Sequence, residues 1–132
     1  MAFNQTLGIR LARRHRDGVT IACQVRLDLL NTEGVLHGGV IATLADSSAG
    51  IALARHFRGQ EPLTTVELKI NYLSPATGGV VRARARLLRV GRTLCVARAD
   101  VTDARGRAVA TALVTYMLLR ARGPVRRPRK KP

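Results

Sequence analysis

The run GGVIATLADSSAGIALA, residues 38–54, constrains this chain more than any other stretch. It reads as a helix built almost entirely from small and apolar residues. Val40, Ile41, Leu44, Ile51 and Leu53 carry the bulk, and Ala42, Ala45, Ala49, Ala52 and Ala54 fill between them. A helix apolar on nearly every face is expected to be buried on nearly every face. Asp46 stands in its middle with no basic residue within a turn on either side. An unpaired charge in a buried helix is costly. The pattern admits two readings: a narrow solvent stripe shared with Thr43, Ser47 and Ser48, or a functional carboxylate facing a cleft.

The residues before the helix favour the cleft. A loop, Asn31-Thr32-Glu33-Gly34, leads to His37-Gly38-Gly39. Two glycines are poor helix formers, so local propensity does not explain them at a helix start. They do let a ligand approach the free amides there. With the positive end of the macrodipole, those amides suit an anion or a polarised carbonyl.

The 132 residues make one domain, and an apolar fraction of 46% suffices for a core. The formal net charge of +15 first suggests nucleic acid or a membrane surface. Its distribution weakens that suggestion. Residues 120–132, RARGPVRRPRKKP, hold seven basic residues and no acidic one, which leaves 16 basic against 8 acidic before them. This tail cannot bury a core and is expected to be disordered. Cys23 and Cys95 sit in apolar strand-like contexts without metal-ligand spacing, as buried thiols of a reducing cytoplasm do. The N-terminus lacks a basic-then-apolar leader, and no apolar run is long enough to cross a bilayer.

Alternating patterns predict strands over residues 6–15 and 18–27, joined at Asp17-Gly18. After the helix come 63–73, 80–90, 94–102 and 108–119, separated by turn signals. In the first of these, Val66, Leu68, Ile70 and Tyr72 would share one face, with Thr65, Glu67, Lys69 and Asn71 on the other. The order is two strands, one long helix and four strands in meander. That is an α+β arrangement of one antiparallel sheet around one helix. The uncovered outer sheet face and helix ends point to a homo-oligomer.

At this level of detail the chain resembles the hotdog-fold acyl-CoA thioesterases of the phenylacetate-pathway, PaaI-like, type. The likeness covers roughly residues 15–119. It rests on N-x₅-H-G-G-x₇-D (Asn31, His37, Gly38, Gly39, Asp46), on the run from Thr65 to Ala76, on the Val90-Gly91-Arg92 turn and on the turn from Val101 to Gly106. Residues 1–119 would then be the thioesterase domain and 120–132 an appended tail.

The resemblance implies that Asp46 acts on the thioester, as nucleophile or as the base that activates water. The Gly38 amide would polarise the thioester carbonyl. Asn31 and His37 would shape that end of the site, with Gly39 beside them. Thr65 would position the water, and Thr64 would replace it if the strand shifts by one. Substrate binding is expected at Ser74 and Pro75 and around the turn of Arg89, Val90, Gly91 and Arg92, where the arginines would attract the coenzyme phosphates. Coenzyme A is part of the substrate, and no cofactor or metal is implied. The expected assembly is a homo-oligomer, a dimer at minimum and a tetramer of two dimers, in the cytoplasm, with the active site shared between subunits. Neither a membrane nor nucleic acid is an expected partner. The alternative is a hotdog domain that binds acyl-CoA without hydrolysing it and regulates, using its basic tail on nucleic acid or an acidic protein.

The tail carries no apolar pattern, so truncation after Leu119 is expected to leave turnover of small acyl-CoAs unchanged at moderate salt. A tenfold rise in KM on truncation would count against this.

Overall fold

The computed structural model describes residues 2–119; the basic tail lies outside them. The elements are α1 (Ala2–Leu7), β1 (Arg10–His15), β2 (Gly18–Gln24), a 3₁₀ turn (Leu27–Leu29), α2 (Gly38–His56), β3 (Leu63–Tyr72), β4 (Val80–Val90), β5 (Leu94–Thr102) and β6 (Ala108–Leu118). All six strands form one antiparallel sheet that packs against α2, as the alternation and the apolar helix imply.

The strand order is β1-β2-β4-β5-β6-β3. The expected four-strand meander is therefore corrected: β4, β5 and β6 are consecutive neighbours, but β3 lies at the far edge against β6. A strand's own pattern shows that one face is buried but not which strand lies beside it. The strand expected over 6–15 is likewise shorter, because residues 2–7 form α1. Its Asn4 and Leu7 face inwards, and three bonds tie it to the body. Arg26 Nη2 donates to the Thr6 carbonyl at 3.0 Å, the Cys23 thiol to the Leu7 carbonyl at 3.2 Å, and Ser47 Oγ to Asn4 Oδ1 at 3.1 Å.

The core lies between α2 and the sheet. Leu44, Ala45, Ala49 and Leu53 are fully buried against a floor that includes Ala83, Ala85, Ala97 and Ala99, all likewise inaccessible. Alanines on the strands let the helix backbone come close, and the leucines then fill the gap, as interior packing density requires. Both cysteines are free and buried.

Burial of α2 on nearly every face was expected, and the exposed stripe is wider than that. Val40, Ile41, Leu44, Ala45, Ser48, Ala49, Ala52 and Leu53 are buried, while Ala42, Thr43, Asp46, Ser47, Gly50, Ile51 and Ala54 form a half-exposed stripe. One sheet covers one face of a helix and no more. The stripe is small or apolar apart from Thr43, Asp46 and Ser47. The helix stops in a Schellman arrangement, with Gly59 N donating to the Ala54 carbonyl at 2.8 Å and Arg58 N to the Arg55 carbonyl at 3.1 Å. Arg58 takes the left-handed conformation there, at φ 54°.

Candidate active site

The N-terminus of α2 disposes of its amide hydrogens in a way that leaves one. A helix start has four N–H groups without intrahelical partners. His37 is the N-cap, and its Nδ1 accepts from Gly39 N at 2.8 Å. Nδ1 is therefore unprotonated, and a neutral ring carries its proton on Nε2. The His37 carbonyl accepts from Val40 N at 2.9 Å and Ile41 N at 3.2 Å. Gly38 N–H alone makes no hydrogen bond among the described residues. The Gly38–Gly39 peptide is held from both ends, because Tyr72 OH donates to the Gly38 carbonyl at 2.7 Å. A side chain on Gly38 would meet the Tyr72 ring at 3.3 Å.

A cleft of about 360 Å³ opens beside that amide, lined among others by Asn31, Gly38, Ile41, Tyr72, Ser74 and Pro75. Asn31 Oδ1 accepts from Glu33 N at 2.9 Å and Val35 N at 3.2 Å. Those two donors fix the amide orientation and leave the Asn31 side-chain NH₂ as an unused donor among the described residues. Ser74 Oγ donates to the Ala108 carbonyl, which ties the loop after β3 to β6. The structure thus brings Asn31, His37, Gly38, Gly39, Ser74 and Pro75 to one end of α2.

Asp46 lies two turns further along. Among the described residues no arginine or lysine pairs with it; hydroxyls do. Thr65 Oγ1 and Tyr116 OH each donate to Asp46 Oδ1 at 2.8 Å, and Tyr116 OH is also 2.9 Å from the Asp46 main-chain carbonyl. No hydrogen bond among the described residues reaches Oδ2. Burial pushes the Tyr116 phenol well above its ordinary pKa; the Thr65 hydroxyl offsets part of this, while the Asp46 carboxylate raises it further. The phenol is therefore a permanent donor at physiological pH.

Thr65 reaches Asp46 because of a β-bulge. Thr65 pairs with Tyr116 and Glu67 with Thr115, so Val66 has no partner on β6. This corrects the expected faces. Strict alternation from Leu68 would put Val66 inside and Thr65 outside, whereas the bulge turns Thr65 to the helix and leaves Val66 49% exposed. Thr64 pairs with Met117, so Thr65 and not Thr64 meets the carboxylate.

Arg89, Val90, Gly91 and Arg92 line a third place, an open cavity of about 770 Å³ at the C-terminal end of α2, with Phe57, Thr93 and Leu94. Gly91 is required sterically, since a Cβ there would lie 2.6 Å from the Leu94 carbonyl oxygen. Within one chain the expected residues therefore form three groups along α2 rather than one site.

Tyr116 and Tyr72 were missed in the sequence. For Tyr116 a signal existed. Gly50 sits one turn after Asp46 in a helix interior, where glycine costs about 1 kcal/mol against alanine. A Cβ at Gly50 would lie 2.6 Å from Tyr116 Oη, so the gap marks a neighbour that needs it.

A family model for the thioesterase superfamily matches residues 33–110. The chain is similar to the medium/long-chain acyl-CoA thioesterase YigI of Escherichia coli strain K12, at 31% identity over 133 residues, covering 89% of this chain and 86% of that one. It is also similar to the 1,4-dihydroxy-2-naphthoyl-CoA hydrolase of Listeria monocytogenes, at 27% identity, covering 78% and 84%. Among solved structures, a mutant thioesterase of Pseudomonas aeruginosa superposes with a TM-score of 0.83 at 26% identity, over 88% of this chain and 84% of that one.

If His37 caps α2 through its ring nitrogen, His37→Ala is expected to lower stability by about 0.5–2 kcal/mol, while His37→Asn keeps most of it. Urea unfolding midpoints of the two variants check this.

Proposed function

Since the chain belongs to the thioesterase superfamily, we propose that it hydrolyses the thioester of an acyl-CoA, in a PaaI-like site that two subunits share. The observation that carries the reading is the lone Gly38 N–H, uncapped in a cleft at the positive end of α2 while its neighbours are all engaged. Such a donor suits the oxygen of a thioester carbonyl, and the charge that develops there on attack is what it would stabilise. Asp46 supplies the attack, either directly or by taking a proton from water. Collapse of the tetrahedral species expels the coenzyme A thiolate; where Asp46 attacks directly, a water then hydrolyses the resulting anhydride and frees the acid.

Sharing follows from the helix. Gly38 and Asp46 are eight residues apart, which at about 1.5 Å per residue places them roughly 12 Å apart along the axis. A carbonyl held about 3 Å from the Gly38 amide is out of reach of Asp46 in the same chain. Two antiparallel α2 helices across a two-fold axis bring the donor of one to the carboxylate of the other. The half-exposed stripe of small residues on α2 permits that approach. So does the ten-residue edge strand β3, whose outer edge has no partner among the described residues. Asn31, His37 and Gly38 of one protomer would then face Asp46 and Thr65 of its partner.

The arginines at 89 and 92 suit the coenzyme phosphates, with the exposed apolar surface of Leu94 beside them. The E. coli relative is a medium/long-chain acyl-CoA thioesterase and the Listeria relative a 1,4-dihydroxy-2-naphthoyl-CoA hydrolase, and we propose an aryl- or acyl-CoA here, at the small end of that range. Exposed Leu113 and Leu94 on the sheet give a second contact by which dimers would form a tetramer. Two free buried thiols fit a cytoplasmic location.

Asp46→Asn keeps the side-chain shape while removing nucleophile and base. Turnover on a panel of acyl-CoAs is expected to fall by about 10²–10⁴ with the fold intact; near-normal hydrolysis would sink the mechanism. Complementation tests the sharing: an Asp46→Asn chain is mixed with a Gly38→Pro chain, which lacks the amide hydrogen. Each alone should be nearly inactive, and heterodimers should regain one site of two. If both fold and exchange subunits yet no activity returns, the shared site is wrong.

A further inference from the structure

We propose that Tyr116 is a positioning residue for the Asp46 carboxylate and that Gly50 is the gap in α2 that admits it. The inference rests on the reading of Asp46 as the reacting carboxylate.

A carboxylate on a half-exposed helix position has free rotation about two bonds and two equivalent oxygens. Here the equivalence is broken. Thr65 and Tyr116 both donate to Oδ1 and none of the described groups donates to Oδ2. The anchored oxygen fixes the plane of the carboxylate and leaves the other as the one open to a water or a thioester carbon. The two anchors sit side by side across β3 and β6, since Thr65 and Tyr116 are register partners. Tyr116 is only 7% exposed, so its hydroxyl has little choice of acceptors.

Its second acceptor matters too. The Asp46 carbonyl lies 2.9 Å from Tyr116 Oη, against 2.8 Å for Oδ1. When the carboxylate takes up a proton during turnover, the phenol hydrogen can rotate to the carbonyl with no movement of heavy atoms. Tyr116 therefore stays satisfied in both protonation states of Asp46, since a carboxyl protonated on Oδ2 still accepts at Oδ1 and the main-chain carbonyl supplies a second acceptor. The ring reaches this position past the backbone of Gly50, where any side chain would strike the phenol oxygen at 2.6 Å and the ring carbon behind it at 3.2 Å.

The test is a double-mutant cycle read as kcat and KM on the best substrate of an acetyl-, octanoyl- and benzoyl-CoA panel. Tyr116→Phe keeps the ring and removes only the hydroxyl. It is expected to lower kcat by about 10–100-fold, the scale of a small misplacement of a reacting group, with KM within about twofold. Gly50→Ala leaves Asp46, Thr65 and Tyr116 in place chemically but displaces the phenol, and should give a similar loss. Combined, the two should be no worse than Tyr116→Phe alone, because the oxygen that meets the new methyl is gone. A merely structural role would make the losses multiply and would not confine them to kcat. Wild-type kcat in Tyr116→Phe, or multiplying losses in the double variant, overturns the inference. If Asp46→Asn is fully active, the reading of the carboxylate itself falls, and with it this role for Tyr116.

Discussion

A helix start must find acceptors for four amide hydrogens or leave them to something else, and the chemistry available to this fold depends on how α2 settles that account. His37 N–H goes to the Leu29 carbonyl, the His37 ring takes Gly39 N–H and its carbonyl takes Val40 N–H, so Gly38 N–H remains. Serine, threonine or aspartate would cap equally well. A histidine does so with an uncharged acceptor, and it therefore adds no anion beside the free Gly38 amide. Tyr72 completes the arrangement from the opposite direction by holding the Gly38 carbonyl. A single donor whose peptide neighbours are fixed is preorganised, which is the condition for electrostatic stabilisation to be large.

The second constraint is the charge in the middle of the same helix. With 20 arginines in the chain, ion pairing would be an easy way to stabilise Asp46, yet none of the described arginines pairs with it. Asp17 binds Arg84 and lies near Arg86, Asp100 accepts from Arg98, and Asp103 is clasped by Arg107 and two backbone amides. Each of those carboxylates is structural. Asp46 is held by neutral hydroxyls instead. Neutral donors orient a carboxylate without neutralising it, whereas a guanidinium would occupy both oxygens. Asp46 is thus set apart from the other paired carboxylates by partner type.

Much of this was legible from residues alone, and the parts that were not have physical reasons. The helix over 38–54 proved to be Gly38–His56, and the strands expected over 80–90 and 94–102 were found with those bounds, because apolar periodicity and turn residues are local. The position of β3 beside β6 was not legible, since pairing partners leave no mark on a strand's own pattern. Nor was α1, six residues with too few turns to show a period. Asp46 and Gly38 stood out because each breaks the pattern of its surroundings. Tyr116 fits the alternation of β6 perfectly well and so attracts no notice; only Gly50, on another element, betrays it.

The bulge at Val66 has a bearing on how such a chain can change over generations. Thr65 and Leu68 both face the helix, with one unpaired residue absorbed between them. Loss of that residue would restore regular pairing and leave Thr65 and Leu68 on the same side as before. The strand that carries a site residue is therefore also the place where the lineage can alter its length by one without re-aiming the site. A point of tolerance and the hydroxyl that holds Asp46 sit one peptide bond apart.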